Sequence, residues 1–527
     1  MNEIFNQFNK PRFYLLFANI LLVFFLILLS NLGILPIKKS GDFIFFALVY
    51  LAFALYRPGW SFLFLIGTIA LENISLAPQE IGISVRPYQF IGGLTILAVL
   101  IKLAVGRLGF RLPKFNRFDL LFLIFALAGF ISTIGALDKG VALKQSIIAS
   151  SFIVLYFLAR IFIQEIADLK RITPFFLSSS IIVVFYGLWQ NFRFIQGSNP
   201  FEVMPGRPNA TFTEPDWLGI FLVILLAIFY TLIYDLRSFK NIDDREIKIK
   251  NYKLIYLHAC LVLIFSLIII SVSRSAWLGA FIVTFAYLFI IWTNLKIHPK
   301  EWQWRFAFWN KVGILSSLLA AIALVYIFHL TNFQLFNRAQ STASGLQKIT
   351  ISCTQNINLP EKISNVSELV PYGCRHINLE EIETEKGKGN FVGEIFRDDP
   401  NINIRGRIYQ RSWEQIKTHL ILGIGWGNIG KILGIDEAGN SLNSSNIFLE
   451  VWLGTGLLGI ITFALIWIWT IIKSIRLFVF ENNSGGKLLG LFLFLGSIAL
   501  LVPNLFNAGI FLGAMWLFFG FMNIGKK

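Results

Sequence analysis

The chain has 527 residues, of which 56% are hydrophobic and only 14% charged, and its mean hydropathy is +0.67. So few polar groups cannot cover a water-soluble protein of this length, which excludes a soluble globular enzyme. The net charge of +16 collects in loops between apolar segments, a pattern of membrane topology that calls for no nucleic acid.

An apolar stretch of about 20 residues suffices to cross a bilayer. Fourteen spans are predicted, at 13–36, 42–57, 59–77, 86–106, 118–136, 142–163, 173–194, 217–234, 254–272, 275–294, 312–331, 446–472, 487–502 and 507–523. The first is too long for a cleavable signal peptide; no small-residue cleavage site follows it, and further spans do. With the N-terminus inside, the basic residues gather on the inner loops 107–117, 235–253, 295–311 and 473–487 and at Lys526 and Lys527. The outer segments 73–85, 195–216 and 503–506 hold a single one, Arg207. This asymmetry is the positive-inside rule at work. The predicted fold class is therefore all-α: a polytopic helical membrane protein of about 12–14 transmembrane helices with one large outer loop domain. Its expected divisions are an N-terminal bundle (1–205), core helices (206–330), the loop domain (331–445) and C-terminal helices (446–527).

The loop domain is too long to be structureless, so it is expected to carry its own helices. It contains Cys353 and Cys374, whereas Cys260 lies in a predicted span. Two cysteines on an oxidising face predict a disulfide closing the intervening loop.

The inner side shows no glycine-rich phosphate cradle following a strand. Asp243 and Asp244 read as a solvated face. None of the five histidines has metal-ligand spacing, and His376 beside Cys374 reads as a surface residue or, second, as a weak ligand. The deliberate polar residues cluster at the outer boundary, in four stretches. GRPNATFTEPDWLG (206–219) leads into the eighth span, and SVSRSAWLGA (271–280) is a turn so short that Arg274 sits at the membrane surface. NIRGRIYQRSWEQIKTHLILGIGWGNIG (403–430) lies late in the loop, and SLNSSNIFLEVWLGTGLLG (441–459) enters the twelfth span. Placing an arginine near hydrocarbon costs roughly 2.5–3.5 kcal/mol on insertion scales, so such residues are paired, functional or snorkelling toward headgroups. Arg207, Arg274, Arg405, Arg407 and Arg411 on one side favour an anion site. The planar guanidinium fork binds phosphate oxygens in pairs and can hold a diphosphate without a metal. A diphosphate beside lipid-facing helices suggests a polyprenyl carrier, whose own energy replaces a nucleotide. Asn446 reads either as an N-cap for the span that follows or, with Glu450 one turn on, as the lining of a polar cleft.

These residues resemble the O-antigen polymerase and O-antigen ligase superfamily of bacterial envelope glycosyltransferases. The resemblance rests on RPNATFTEP, SRSAWLG, RGRIYQRSWEQIKTHLILGIGWGN and SSNIFLEVWLGTGLLG in order, and is strongest over 205–290 and 403–460. It implies a GT-C-like membrane enzyme and metal-independent transfer, without cofactor, from an undecaprenyl-diphosphate-linked glycan to a glycan acceptor on the periplasmic face of the inner membrane. Both termini would be cytoplasmic, and membrane lipids, a flippase and chain-length regulators are the partners implied. Arg274, Arg207, and Arg405 or Arg407 match the family's diphosphate-holding arginines, with Arg411 close by. Asn446 and Glu450 match the last motif. Where the family often has a histidine before the asparagine, this chain has Ser445, which cannot act as a general base near neutral pH. Glu450 or Glu214 replaces it, His419 or His376 swings in from the loop, or positioning alone suffices. The missing histidine tilts the reading toward a polymerase over a ligase. A small-anion transporter of the bicarbonate type, with intramembrane Glu72 and Arg160 as candidate polar residues, is the alternative of another class. It would be expected to show internal repeats and helices broken at mid-membrane.

Overall fold

The computed structural model describes residues 12–204, 206–238, 244–297, 301–330, 346–355, 360–364, 366–377, 382–398, 400–434 and 441–524. Asp243 and the basic residues Lys240, Lys300, Lys526 and Lys527 lie outside them. The chain divides into two compact units, one of Met1–Leu330 with Gln415–Lys527 and one of Thr331–Glu414.

The larger unit is a helical bundle. Its first half comprises α1 (Arg12–Asn31), α2 (Ser40–Tyr56), α3 (Pro58–Thr68), α4 (Pro87–Ala104), α5 (Arg117–Ser132), α6 (Lys139–Phe162) and α7 (Ile166–Ile195). It continues through α8 (Pro215–Ser238), α9 (Asp244–Ile270), α10 (Arg274–Ile297) and α11 (Glu301–Ile327). Among the described residues eleven helices are long and apolar enough to cross a membrane. Their outward faces are apolar too: Phe281, Phe285 and Phe289 are mostly exposed along α10, while Val283 and Tyr287 on its other side are fully buried. Only hydrocarbon suits such a surface, and the chain is a multi-pass membrane protein.

Three predicted spans differ from the long helices. The segment 42–57 forms α2, only 17 residues long. The segment 59–77 forms the 11-residue α3 and then turns. The backbone N–H groups of Glu72 and Asn73 donate to the Thr211 carbonyl at 2.9 and 2.7 Å, so a loop from elsewhere in the chain supplies the partners that continued helix would have supplied. Helix ends inside a membrane protein are tolerated where protein satisfies them. The Glu72 carboxylate is fully buried between the Arg86 guanidinium at 2.7 Å and the Tyr88 hydroxyl at 2.7 Å. Its other oxygen accepts the N–H of Gly513 at 2.8 Å.

Two short helices, α14 (Ile429–Leu433) and, at the far end, α17 (Gly513–Gly520), flank the long α15 (Ile447–Phe480) and α16 (Ser484–Asn504). The segment 507–523 thus begins as an irregular turn rather than a span, and the Glu72 carboxylate sits where α17 has its unpaired N–H groups and positive dipole end. Arg160, the other intramembrane charge, is paired with Asp119 at 2.8 Å.

The smaller unit is not purely helical. It holds β1 (Leu346–Cys353), β2 (Lys362–Ile363), β3 (Cys374–Ile377) and β4 (Phe391–Asp398) in one sheet of order β2-β4-β1-β3. Strand β1 pairs antiparallel with both neighbours, Thr350 opposite Glu394 and Ile351 opposite His376. The expectation of helices is met by α12 (Ile382–Gly387) and α13 (Pro400–Thr418); the sheet was missed because ITIS and VGEIF are short runs in a polar context. Ile349, Ile351, Ile363, Leu369 and Ile395 form its core, with Cys353 and Cys374 in it and joined by a disulfide. Buried Glu385 is held by Lys388 at 2.8 Å, the Ser352 hydroxyl at 2.8 Å, Asn390 at 2.9 Å and Arg375 at 3.1 Å. These partners, Lys388 foremost, draw its carboxyl down to about 2.

Candidate functional site

One end of the bundle collects the polar stretches of the helical unit. The loop 199–214, between α7 and α8, is pinned from below. Gln190 of α7 accepts from the Ala210 N–H at 2.7 Å and donates to the Phe201 carbonyl at 2.9 Å. Asn209, itself buried, accepts from the Val203 N–H at 3.1 Å, and the Thr211 hydroxyl donates to the Ala70 carbonyl at 2.5 Å. The RPNAT motif is therefore first a folding element, whose asparagine and threonine satisfy backbone groups. What it presents is Arg207.

Arg207 donates through Nε to the Ser271 carbonyl at 3.2 Å and faces Asp216 at 3.5 Å. Ser271 belongs to the tight turn between α9 and α10, and Arg274 is the first residue of α10, half-buried. The motifs at 207 and 274, far apart in sequence, thus meet on one turn. Gly279 lets α16 come close, since a Cβ there would lie 2.7 Å from Cγ of Pro503; small residues at such crossings permit this approach. Beyond Pro503, Asn507 donates to the Ser275 hydroxyl at 2.8 Å. The Leu505 carbonyl accepts from Asn446 at 3.0 Å. Three separate polar contacts, Arg207 to Ser271, Asn507 to Ser275 and Asn446 to Leu505, thus tie these motifs together at one end of the bundle.

Asn446 is the N-cap of α15, its Oδ1 accepting from the N–H groups of Phe448 at 2.9 Å and Leu449 at 3.2 Å. Glu450 lies one turn on and is buried; both the N–H of Ser444, at 2.9 Å, and its hydroxyl donate to one carboxylate oxygen, Oε2. Ser445 has a positive φ of 48°. The carbonyl of Glu214 accepts the first bonds of α8, from Trp217 and Leu218, both at 3.2 Å, and its side chain is half-buried. His419 pairs with the neighbouring Thr418 hydroxyl at 2.9 Å, and His376 is exposed on β3. Arg405, Arg407 and Arg411 belong to α13 in the smaller unit, where Arg407 and Arg411 are exposed.

The glycine-rich stretch of the third motif has a different task. Ile424 N–H donates to the Leu453 carbonyl at 2.7 Å and Leu457 N–H to the Ile421 carbonyl at 3.0 Å. They meet at Gly456, where α15 breaks with φ 67°. Gly423, at φ 68°, lies so close that a Cβ would stand 2.5 Å from the Leu453 carbonyl oxygen. No side chain fits, and the positive φ favours glycine. Asn428 completes the dock by exchanging hydrogen bonds with the backbone of Asp138 at 3.1 and 3.2 Å.

The sequence reading passed over Glu202. Its Oε2 accepts the Gly206 N–H at 2.7 Å, inside the turn that presents Arg207, while Oε1 is buried without a partner. Burial pushes this carboxyl up to about 7, although the Gly206 N–H favours the ionised form. An acidic residue between Pro200 and Pro205 in an outer segment was the only signal for it.

Among the described residues no group of three or more His, Cys, Asp or Glu side chains could hold a metal ion. No curated protein and no solved structure matches the chain. The family model described as O-Antigen ligase matches residues 259–464, a stretch that contains Arg274, Asn446 and Glu450. Over that stretch, about two fifths of its length, the chain is similar to the O-antigen ligase and polymerase superfamily.

Proposed function

We propose that the protein is a polymerase-type glycosyltransferase that joins repeat units carried on undecaprenyl diphosphate, at the periplasmic face of the inner membrane. The observation that carries this reading is the bond from Arg207 to Ser271, on the turn that leads into Arg274, in a chain similar to a family whose substrates are polyprenyl-linked glycans. Two guanidinium groups beside a membrane suit a diphosphate, and their charge is worth most as the leaving diphosphate gains charge in the transition state. The acceptor hydroxyl must lose a proton. Glu450 is the candidate base: with Oε2 anchored on Ser444, the carboxylate is oriented and Oε1 is left to meet an acceptor. Glu214, at the head of α8, is the second candidate. Asn446 acts through positioning, since it caps the helix that carries Glu450.

Ligation to a lipid or protein acceptor is the second reading, favoured by the description of the matching family model; Ser445 in place of a histidine favours polymerisation. The test is transfer in vitro with a native lipid-linked repeat unit. Glu450→Gln keeps the bonds to Ser444 and is expected to lower kcat about a hundredfold with little change in KM. Unchanged turnover would remove Glu450 from the reaction.

A further inference from the structure

Where the pinned loop meets the ends of α1 and α3 lies a small cleft of about 50 Å³, open to solvent and sized to grip one edge of a ligand rather than enclose it. Ser30 and Asn31 at the end of α1, Asn73 after α3, Tyr186 of α7 and Thr211 of the pinned loop line it, with Ile27 contributing apolar surface. None of the lining residues carries a charge. A diphosphate or a small inorganic anion therefore has no counter-charge within it, whereas a neutral ligand with polar edges and an apolar face suits it. The Tyr186 hydroxyl donates to Asn31 Oδ1 at 2.8 Å. Among the described residues the Asn73 side-chain amide and the Ser30 hydroxyl make no hydrogen bond within the protein.

An aromatic platform adjoins these groups. Tyr186 stacks on Trp189 with ring centres 5.7 Å apart, and Trp189 lies nearly parallel to Phe201 at 6.0 Å. The Arg193 guanidinium lies over both Trp189 and Phe201, at 4.9 and 5.4 Å, and locks the stack. Aromatic faces beside neutral amides and hydroxyls match a pyranose, which shows C–H groups on its faces and hydroxyls around its rim. Thr211 stands in the same pinned loop as Arg207, so a sugar in the cleft would be next to a diphosphate on the arginines.

We infer that this cleft is a subsite for one uncharged sugar ring of the glycan, held by Asn31, Asn73 and Tyr186 against the platform. The inference rests on the glycan-transferase reading and adds to it a place for the sugar distinct from the place for the diphosphate. The probe is the host's repeat-unit oligosaccharide, released from its carrier by mild acid and so free of lipid and diphosphate. Its binding to the full-length protein in nanodiscs is measured by saturation-transfer NMR and titration. Asn73→Ala removes a side chain with no bond in the fold, and Tyr186→Phe removes a single hydroxyl. Each is expected to weaken binding about tenfold, the loss of one neutral hydrogen bond, while Arg274→Ala binds as wild type does. Absence of binding to wild type, equal binding by wild type and both cleft variants, or a loss shared by Arg274→Ala would each overturn the subsite. The two readings fail separately. If Arg274→Ala abolishes transfer while the cleft variants bind and transfer normally, the subsite alone is wrong; if transfer itself is absent, the transferase reading falls.

Discussion

At the scale of single residues, the charges at one end of the bundle obey different physics. Arg274 opens α10 on the turn to which Arg207 is bonded, and its proposed work is on the leaving diphosphate. Arg274→Ala is expected to cut transfer at least a hundredfold, the usual scale for losing a transition-state donor. Arg274→Lys is expected to recover only part of it, because an ammonium cannot make the paired contacts of a guanidinium. Membrane insertion should be unaffected, checked by detergent extraction and size-exclusion of the purified variant. Glu202 makes a prediction of another kind. Its carboxyl titrates near 7 in the fold, above the ordinary range of an unfolded glutamate, so the native state holds the proton more tightly. Stability then falls as pH rises from the ordinary carboxylate range through about 7. Glu202→Gln keeps an acceptor for the Gly206 N–H and cannot ionise. Its melting temperature is expected to match wild type below about pH 4 and to exceed it at about pH 8; a gap independent of pH would show that Glu202 is not desolvated as described.

At the scale of elements, hydropathy identified the long helices, and it overcounted where apolar segments are interrupted. Nothing in LFLIGTIALENISLAPQ announces that α3 ends at Thr68, because the partners that end it, Thr211 and Gly513, come from distant parts of the chain. The motifs were legible as motifs. Their division of labour was not: Asn209, Thr211, Gly423 and Asn428 hold backbone, while Arg207 reaches across to the Ser271 carbonyl of a distant motif. Asn446 could be read from sequence as cap or as site, and its bonds to Phe448 and Leu449 make it a cap. The break in α15 carries its own prediction. Gly456→Ala places a methyl against the Ile421 carbonyl at a backbone of φ 67° and ψ −164° that essentially only glycine adopts, at a cost of about 1–3 kcal/mol for the conformation alone. A lowered melting temperature with loss of activity is expected. A neutral substitution would mean that the 420–428 segment docks without the break.

At the scale of the whole molecule, composition and loop charge sufficed for a multi-pass helical protein with one long non-membrane segment. The sheet in that segment was invisible, since its strands are short and its sole unmistakable signal was the cysteine pair. Cys353 and Cys374 enclose a loop of 21 residues in sequence separation, and the disulfide is expected to stabilise the smaller unit by about 2–4 kcal/mol. Replacing both by serine should speed proteolysis within 346–398 while the helical unit stays resistant; equal cleavage rates would contradict this. The central claim is extension of lipid-linked glycans. Its most direct test is deletion of the gene in the native host, followed by the length distribution of surface and carrier-linked glycans. The account predicts loss of long chains, with single repeat units accumulating on the carrier or capped on their acceptor, restored by the wild-type gene and not by Arg274→Ala. Long chains stranded on the carrier would mean ligation instead of polymerisation, and an unchanged profile would contradict the account.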